Sequence, residues 1–243
     1  MRTEYIVKSV MAVAVVAMLG GAAPGQQPAK TDAPLIYFLD PQSADLLEHS
    51  EKQDFMPLIS RFVSEYQATF CGIASSVMAL NALGITPPTA ARWYPYAYWD
   101  QDNIFSGEVL KQVKPESRIN ADGITLEELE TLLNLSGAKA KKMFASDTGV
   151  DAFRTAARAA IADPGAILIV NFGRAELGQP GIAGGGHISP VAAYNEKADR
   201  FLILDVARYK FLPSWVTADR LYAAMNTPDS SSGKTRGYVI VRK

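Results

Sequence analysis

The amino-acid sequence predicts an α+β fold. Two patterns carry the prediction: helix-period apolar stripes fill the middle of the chain, and strand signals follow in its last third. Strands that succeed one another through short polar turns, with no helical crossover, pair antiparallel.

The elements follow in order. Residues 71–83 place Ile73, Val77 and Leu80 on one stripe with Ala74 and Met78 beside it, and Gly84 is a natural stop for that helix. Thr125 and Glu128 form a capping box that opens a second helix, running to Ser136 before Gly137. A third helix fits residues 150–162 and ends at Asp163, Pro164 and Gly165, because proline cannot continue it. Residues 166–172 read as a buried strand, 187–194 and 200–206 as a hairpin around 195–199, and 237–241 as a closing strand.

Composition removes several function classes. The chain has 243 residues, 48% of them hydrophobic, one Cys, two His and a formal net charge of −1. One Cys allows no internal disulfide framework. Cys71, His49 and His187 are too few for a Cys/His zinc centre, so no protein-held metal is expected. Near-neutral charge gives no footprint for nucleic acid.

Arg2 and Lys8 precede the apolar run 9–19, and small residues 20–23 follow it. Residues 1–23 are therefore expected to be a signal peptide cleaved near Ala22 or Ala23, exporting the protein to a bacterial periplasm. The run is shorter than the ~20 residues that span a bilayer, so no stable membrane anchor is expected after cleavage. Residues 24–34 read as a flexible lead, and 35–243 as one domain without repeats or linkers. A single thiol in an oxidising compartment is either buried or useful.

Three apparent motifs fail. Residues 232–235 lack the first glycine of a phosphate loop, because that position is Pro228. Residues 118–123 imitate a calcium loop, but Arg118 stands at the first carboxylate position and Leu129 at the last. The glycine-rich stretch 181–186 lacks the strand-then-helix context of a dinucleotide site.

The constellation that remains is Cys71, His187 and Asp205. Taken alone, Cys71 reads first as a small buried hydrophobe, which is what a lone Cys usually is. It lies, however, at the amino end of the first helix, where free N–H groups and the macrodipole favour a thiolate, and Gly72 leaves room for a substrate carbonyl. His187 follows Gly184, Gly185 and Gly186, which permit close backbone approach. If the hairpin turn spans five residues and Tyr194 pairs with Arg200, Ser189 faces Asp205. His187 then lies diagonal to Asp205 on one sheet face, ~7–8 Å away between Cα atoms. A one-residue slip would separate them, and Pro190 warns of an edge or a bulge. A Cys at a helix start, served by a His that an Asp orients, is a nucleophile–base–orienter set. His49, among Glu48 and Glu51, reads as solvent-facing, and the aromatic run 93–99 as a packed loop or a cleft wall.

Residues 70–84 resemble the nucleophile helix of phytochelatin synthases, and 101–106, 185–195, 199–210 and 234–237 are similar in the same order. The likeness spans residues 35–243 and is greatest to the short bacterial members. It implies a papain-like cysteine-peptidase fold, with Cys71 as nucleophile, His187 as base then acid, and Asp205 as orienter. The implied reaction removes glycine from glutathione through a γ-glutamylcysteinyl acyl-enzyme. Water then releases γ-glutamylcysteine, or a second glutathione takes the acyl group to give phytochelatin, in heavy-metal detoxification. Asp229, Arg236 and Gly186 match positions lining the γ-glutamyl site. No cofactor is implied; heavy-metal ions enter as glutathione thiolate complexes, and a homodimer is compatible with the likeness.

Two departures stand out. The family places an oxyanion-hole Gln six residues before the nucleophile, and here that residue is Glu65. An ionised carboxylate cannot donate, so Glu65 must be protonated or displaced, or Gln67 must substitute. The chain also lacks the Cys-rich carboxyl extension of plant members, so glycine removal is expected to dominate over metal-stimulated polymerisation. Two alternatives stay open: a papain-like peptidase for another small exported peptide, and a catalytically silent binding module.

Overall fold

The computed structural model describes residues 34–89, 91–179 and 185–243. The expected signal peptide (1–23), nearly all of the expected lead (24–34) and the glycines at 181 and 184 lie outside the described residues. Residues Asp32–Lys243 cluster as one compact unit.

Nine strands are described: β1 (Leu35–Tyr37), β2 (Lys139–Phe144), β3 (Ala166–Gly173), β4 (Gly186–Asn195), β5 (Arg200–Ile203), β6 (Ser214–Thr217), β7 (Pro228–Asp229), β8 (Lys234–Thr235) and β9 (Gly237–Arg242). Seven form one antiparallel sheet in the order β1-β6-β5-β4-β3-β9-β2, and β7 and β8 form a separate ribbon. The helices are α1 (Pro41–Glu48), α2 (Phe55–Ile59), α3 (Cys71–Ala82), α4 (Gly107–Gln112), α5 (Glu116–Asp122), α6 (Leu126–Leu135), α7 (Val150–Ala162), α8 (Arg174–Leu177) and α9 (Ala218–Met225).

The three predicted helices appear as α3, α6 and α7, and their ends follow the predicted local chemistry. Thr125 and Glu128 form both bonds of the capping box at the start of α6. Gly84 and Gly137 take positive φ just past α3 and α6, where a side chain would be strained.

The expected α+β class holds, with helices packed on both faces of the antiparallel sheet. Every residue of β3 is buried, so both sheet faces must be covered, and alternate side chains serve different cores. Ile167 and Ile169 pack with α3 and α6, together with Val239 and Val241. Leu168, Val170 and Phe172 pack with Phe153, Ala157 and Ile161 of α7 and Leu221 and Met225 of α9. The strand predicted to close the sheet, now β9, lies inside it between β3 and β2.

The β4–β5 hairpin differs from expectation by one residue at its turn. Asn195, not Tyr194, pairs with Arg200, because the Asn195 carboxamide accepts from Ala198 N–H and Asp199 adopts φ 50°, closing a four-residue turn. A bulge between Val191 and Ala193 then shifts the pairing back, to Val191 opposite Ile203. Beyond the bulge the expected register holds: Leu204 N–H donates to Pro190 O at 2.9 Å and Val206 N–H to Ser189 Oγ at 3.2 Å. His187 and Asp205 therefore reach the same face.

Candidate active site

Cys71 is the first residue of α3 and half-buried. No side chain caps this helix, so the first-turn N–H groups and the positive end of the dipole stay available around the thiol. Phe70, which precedes it, is buried against the Phe105 ring at 5.7 Å. One turn on, Ser75 Oγ donates to Ile188 O at 3.1 Å, tying α3 to the residue after His187. Gly72 has a different use from the one expected. A Cβ there would meet Ile124 at 2.5 Å and Ile188 at 3.3 Å, so the missing side chain lets α3 lie against its core neighbours, not a substrate.

His187 is 4% exposed, with the Phe172 ring edge-on at 5.6 Å. Its Nε2 lies 2.8 Å from Asp205 Oδ1, although the ring N–H points off the line to that oxygen. Nε2 being engaged there, Nδ1 is the nitrogen left for Cys71. Burial works to lower the imidazole pKa, but Asp205 and then Cys71 outweigh it and hold the imidazolium up to about 9.

Asp205 is 0% exposed, and such a carboxylate requires partners. Arg174 supplies a fork, Nη1 to Oδ2 at 2.8 Å and Nη2 to Oδ1 at 3.2 Å. Gln179 Nε2 donates to Oδ2 at 3.2 Å and Ala207 N–H to Oδ1 at 2.9 Å. Arg174 also donates to Gln179 Oε1 and stacks over Phe211 at 4.7 Å. Burial favours the neutral acid here, yet His187 and Arg174 hold the carboxyl well below the usual carboxylate range. Sequence reasoning missed Arg174 and Gln179. The available signal was an arginine directly after a strand that is apolar but for Asn171; an arginine buried there must find an anion.

Glu65 adjoins the thiol. Cys71 Sγ, a His187 ring nitrogen and a Glu65 carboxylate oxygen all lie within 4.8 Å of one another. The Glu65 side chain is held: Tyr209 Oη donates to Oε1 at 2.8 Å, while buried Oε2 has no hydrogen-bond partner among the described residues. Its backbone is held as well. Glu65 N–H donates to Val206 O at 2.9 Å, and the Gln101 carboxamide bonds Ser64 O and Tyr66 N–H on either side. Of the two expected oxyanion residues, Glu65 is buried beside the nucleophile and Gln67 is exposed.

Arg236 is buried, not solvated, and donates to Thr227 Oγ1 at 2.8 Å. Burial lowers its pKa, and Asp229 and Glu176 act against that. Gly186 abuts it: a Cβ there would lie 2.7 Å from Arg236 Nε. Asp229 is half-buried in the β7–β8 ribbon, close enough to Arg236 for its charge to act on the guanidinium, and Gly186 directly precedes His187 in β4. His49 lies apart, exposed at the end of α1 beside Asp45. In the aromatic run, Trp99 is buried and bonds Ile85 O, whereas Tyr94 and Tyr96 are exposed.

The family model described as phytochelatin synthase matches residues 27–238. A protein named glutathione gamma-glutamylcysteinyltransferase 1 from Lotus japonicus is 33% identical over 215 residues, 86% of this chain and 41% of its own length. One of the same name from Triticum aestivum is 34% identical over 200 residues, covering 82% and 38%. A glutathione gamma-glutamylcysteinyltransferase from Schizosaccharomyces pombe is 32% identical over 199 residues, covering 80% and 45%. The chain thus spans less than half the length of these relatives.

Proposed function

The chain belongs to the phytochelatin synthase family, and on that premise we propose that it cleaves the Cys–Gly bond of glutathione through a thioester on Cys71. The observation that carries the reading is the buried His187–Asp205 pair set against a thiol at an uncapped helix start. Sγ attacks the cysteinyl carbonyl, and the oxyanion that forms faces the first N–H groups of α3. With its pKa held near 9, His187 is an imidazolium at neutral pH and gives its proton to the departing glycine amine. The neutral imidazole then takes a proton from water, giving γ-glutamylcysteine, or from the amine of a second glutathione, extending a phytochelatin. Arg236 and Asp229 supply the charges that match the carboxylate and amine of a γ-glutamyl group. Heavy-metal ions belong to this reading as thiolate complexes of the substrate.

Free glycine released from glutathione tests the reading. Wild-type protein should release it catalytically and Cys71→Ala not at all. A folded wild-type chain that releases none would sink the proposal. Glu65 favours a second reading, a glutathione-binding module with impaired turnover; glutathione binding without glycine release would establish that instead. The basic-then-apolar pattern of residues 2–19 supports export to a bacterial periplasm, where cell fractionation should find the protein shortened at its amino end.

A further inference from the structure

We propose that Cys71, His187 and Glu65 together bind one thiophilic divalent cation, and that its occupancy switches the nucleophile off. The inference needs no assumption about which peptide is the substrate.

The donor set is suited to zinc or cadmium. A thiolate and an imidazole select borderline-to-soft ions over magnesium or calcium, and a carboxylate adds the charge that a neutral amide would lack. Two anionic ligands then face a doubly charged ion. Tetrahedral zinc, with bonds of ~2.0–2.3 Å, sets its donor atoms about 3.5 Å apart. The three donors, all within 4.8 Å of one another, need to close by little more than 1 Å. Cadmium, with longer bonds, requires less movement.

The supporting contacts of a metal site are already present. A ligating imidazole normally engages a carboxylate through its other nitrogen, which fixes the ring. Asp205 stands at that position, 2.8 Å from His187 Nε2, and is itself held by Arg174. Glu65 is 6% exposed and its Oε1 is taken by Tyr209, so Oε2 is left buried and without a hydrogen-bond partner among the described residues, on a carboxylate that adjoins the thiol. A buried unpartnered carboxylate oxygen is costly unless something binds it. Three protein donors leave the fourth position of a tetrahedral ion to water or an incoming thiol. A bound cation occupies both the sulfur lone pair and the free ring nitrogen, so neither attack nor proton transfer can proceed until a chelator or competing thiol removes it.

The test uses cadmium chloride titrated into the full chain, reduced and metal-free, without glutathione, read by the thiolate-to-cadmium charge-transfer absorbance. The band should saturate at one equivalent and be absent in Cys71→Ala. Affinity should fall at least ~10-fold in Glu65→Gln and in His187→Gln, a loss seen even when only an outer-sphere partner is removed. Melting curves identify any variant that fails to fold, and the other variant then carries the comparison. Unchanged affinity in a folded Glu65→Gln or His187→Gln chain would mean that sulfur alone binds, and would overturn the proposal. So would the absence of a band at one equivalent in wild type. Because no glutathione is present, either outcome is independent of glycine release.

Discussion

Replacing Glu65 with Gln should raise turnover. The amide is isosteric, and its carbonyl can keep the 2.8 Å contact from Tyr209 Oη, which directs the NH₂ to where Oε2 now lies. Two effects follow at that one atom. A hydrogen-bond donor appears beside the reacting carbonyl, and one oxyanion donor is typically worth ~10²–10³ in kcat. A negative charge also disappears from within 4.8 Å of Cys71 Sγ. An ionised carboxylate ~5 Å from the oxyanion would repel it by about 3 kcal/mol at an effective dielectric of ~20, or about two decades in rate. Both effects involve the same atom and do not simply add, so the expected gain is on the order of 10²-fold. Losing Glu65 should leave His187 charged, because Asp205 and Cys71 are what hold its proton against burial. The assay is kcat for glycine release at saturating glutathione, with a chelator present so that relief of cation binding cannot imitate the effect. KM should stay near wild type, since the gain arises in the transition state. Gln67→Ala, at an exposed position, should change neither constant. A folded Glu65→Gln enzyme with unchanged or lower kcat would refute the placement of this side chain at the oxyanion.

Arg174→Met leaves Asp205 buried without its fork; it should lose about 3–5 kcal/mol and on the order of 10 °C in Tm. Arg174→Lys keeps the charge but not the fork, and calorimetry should find only part of that stability restored. The raised His187 pKa means that the folded state binds this proton more tightly than the unfolded chain. Its stabilisation is complete below pH 6.5 and fades as pH rises through about 9, so wild-type Tm should fall over that window more steeply than that of His187→Gln. Glycine release should decline over the same alkaline limb as the imidazolium is lost. Gly186→Ala puts a methyl 2.7 Å from Nε of Arg236, a buried side chain already donating to Thr227 Oγ1, so the guanidinium must shift: KM for glutathione should rise and Tm should fall. Gly237→Ala meets the Met143 carbonyl at 2.0 Å, a backbone atom inside the sheet, and should prevent the β2–β9 pairing; retained native Tm there would contradict the register.

What the sequence revealed was local chemistry. The limits of α6 and α7 are set by a capping box and a proline, which act within a few residues and can be read directly. Cys71 and His187 were legible because scarce residue types stood at recognisable element ends, and Asp205 because it closes the apolar run 201–204. The missed features depend on distant neighbours. β1 and β6 are too short to show a period, and β2 carries Lys139, Lys141 and Lys142, a charged pattern that suits a sheet edge but conceals a strand. Gly72 was assigned to the substrate because Ile124 lies far away in sequence. The turn register slipped because the Asn195 side chain closes the turn, and a bulge that no periodicity announces then corrects it.

A count of thiols and imidazoles takes no account of carboxylates, whose place beside them only the fold decides. Glu65 matters because its loop is fixed from outside the side chain, by Val206 O and the Gln101 carboxamide. A loop fixed in that way presents whatever residue stands there at the same place. A glutamine would offer an N–H to an oxyanion, whereas a glutamate offers an oxygen to a cation. If impaired turnover and cation binding both arise at Oε2, they are coupled. Glu65→Gln must raise kcat and weaken cadmium binding in the same protein. If only one of the two moves, the other effect originates elsewhere in the site, and the assignment of both to Oε2 fails.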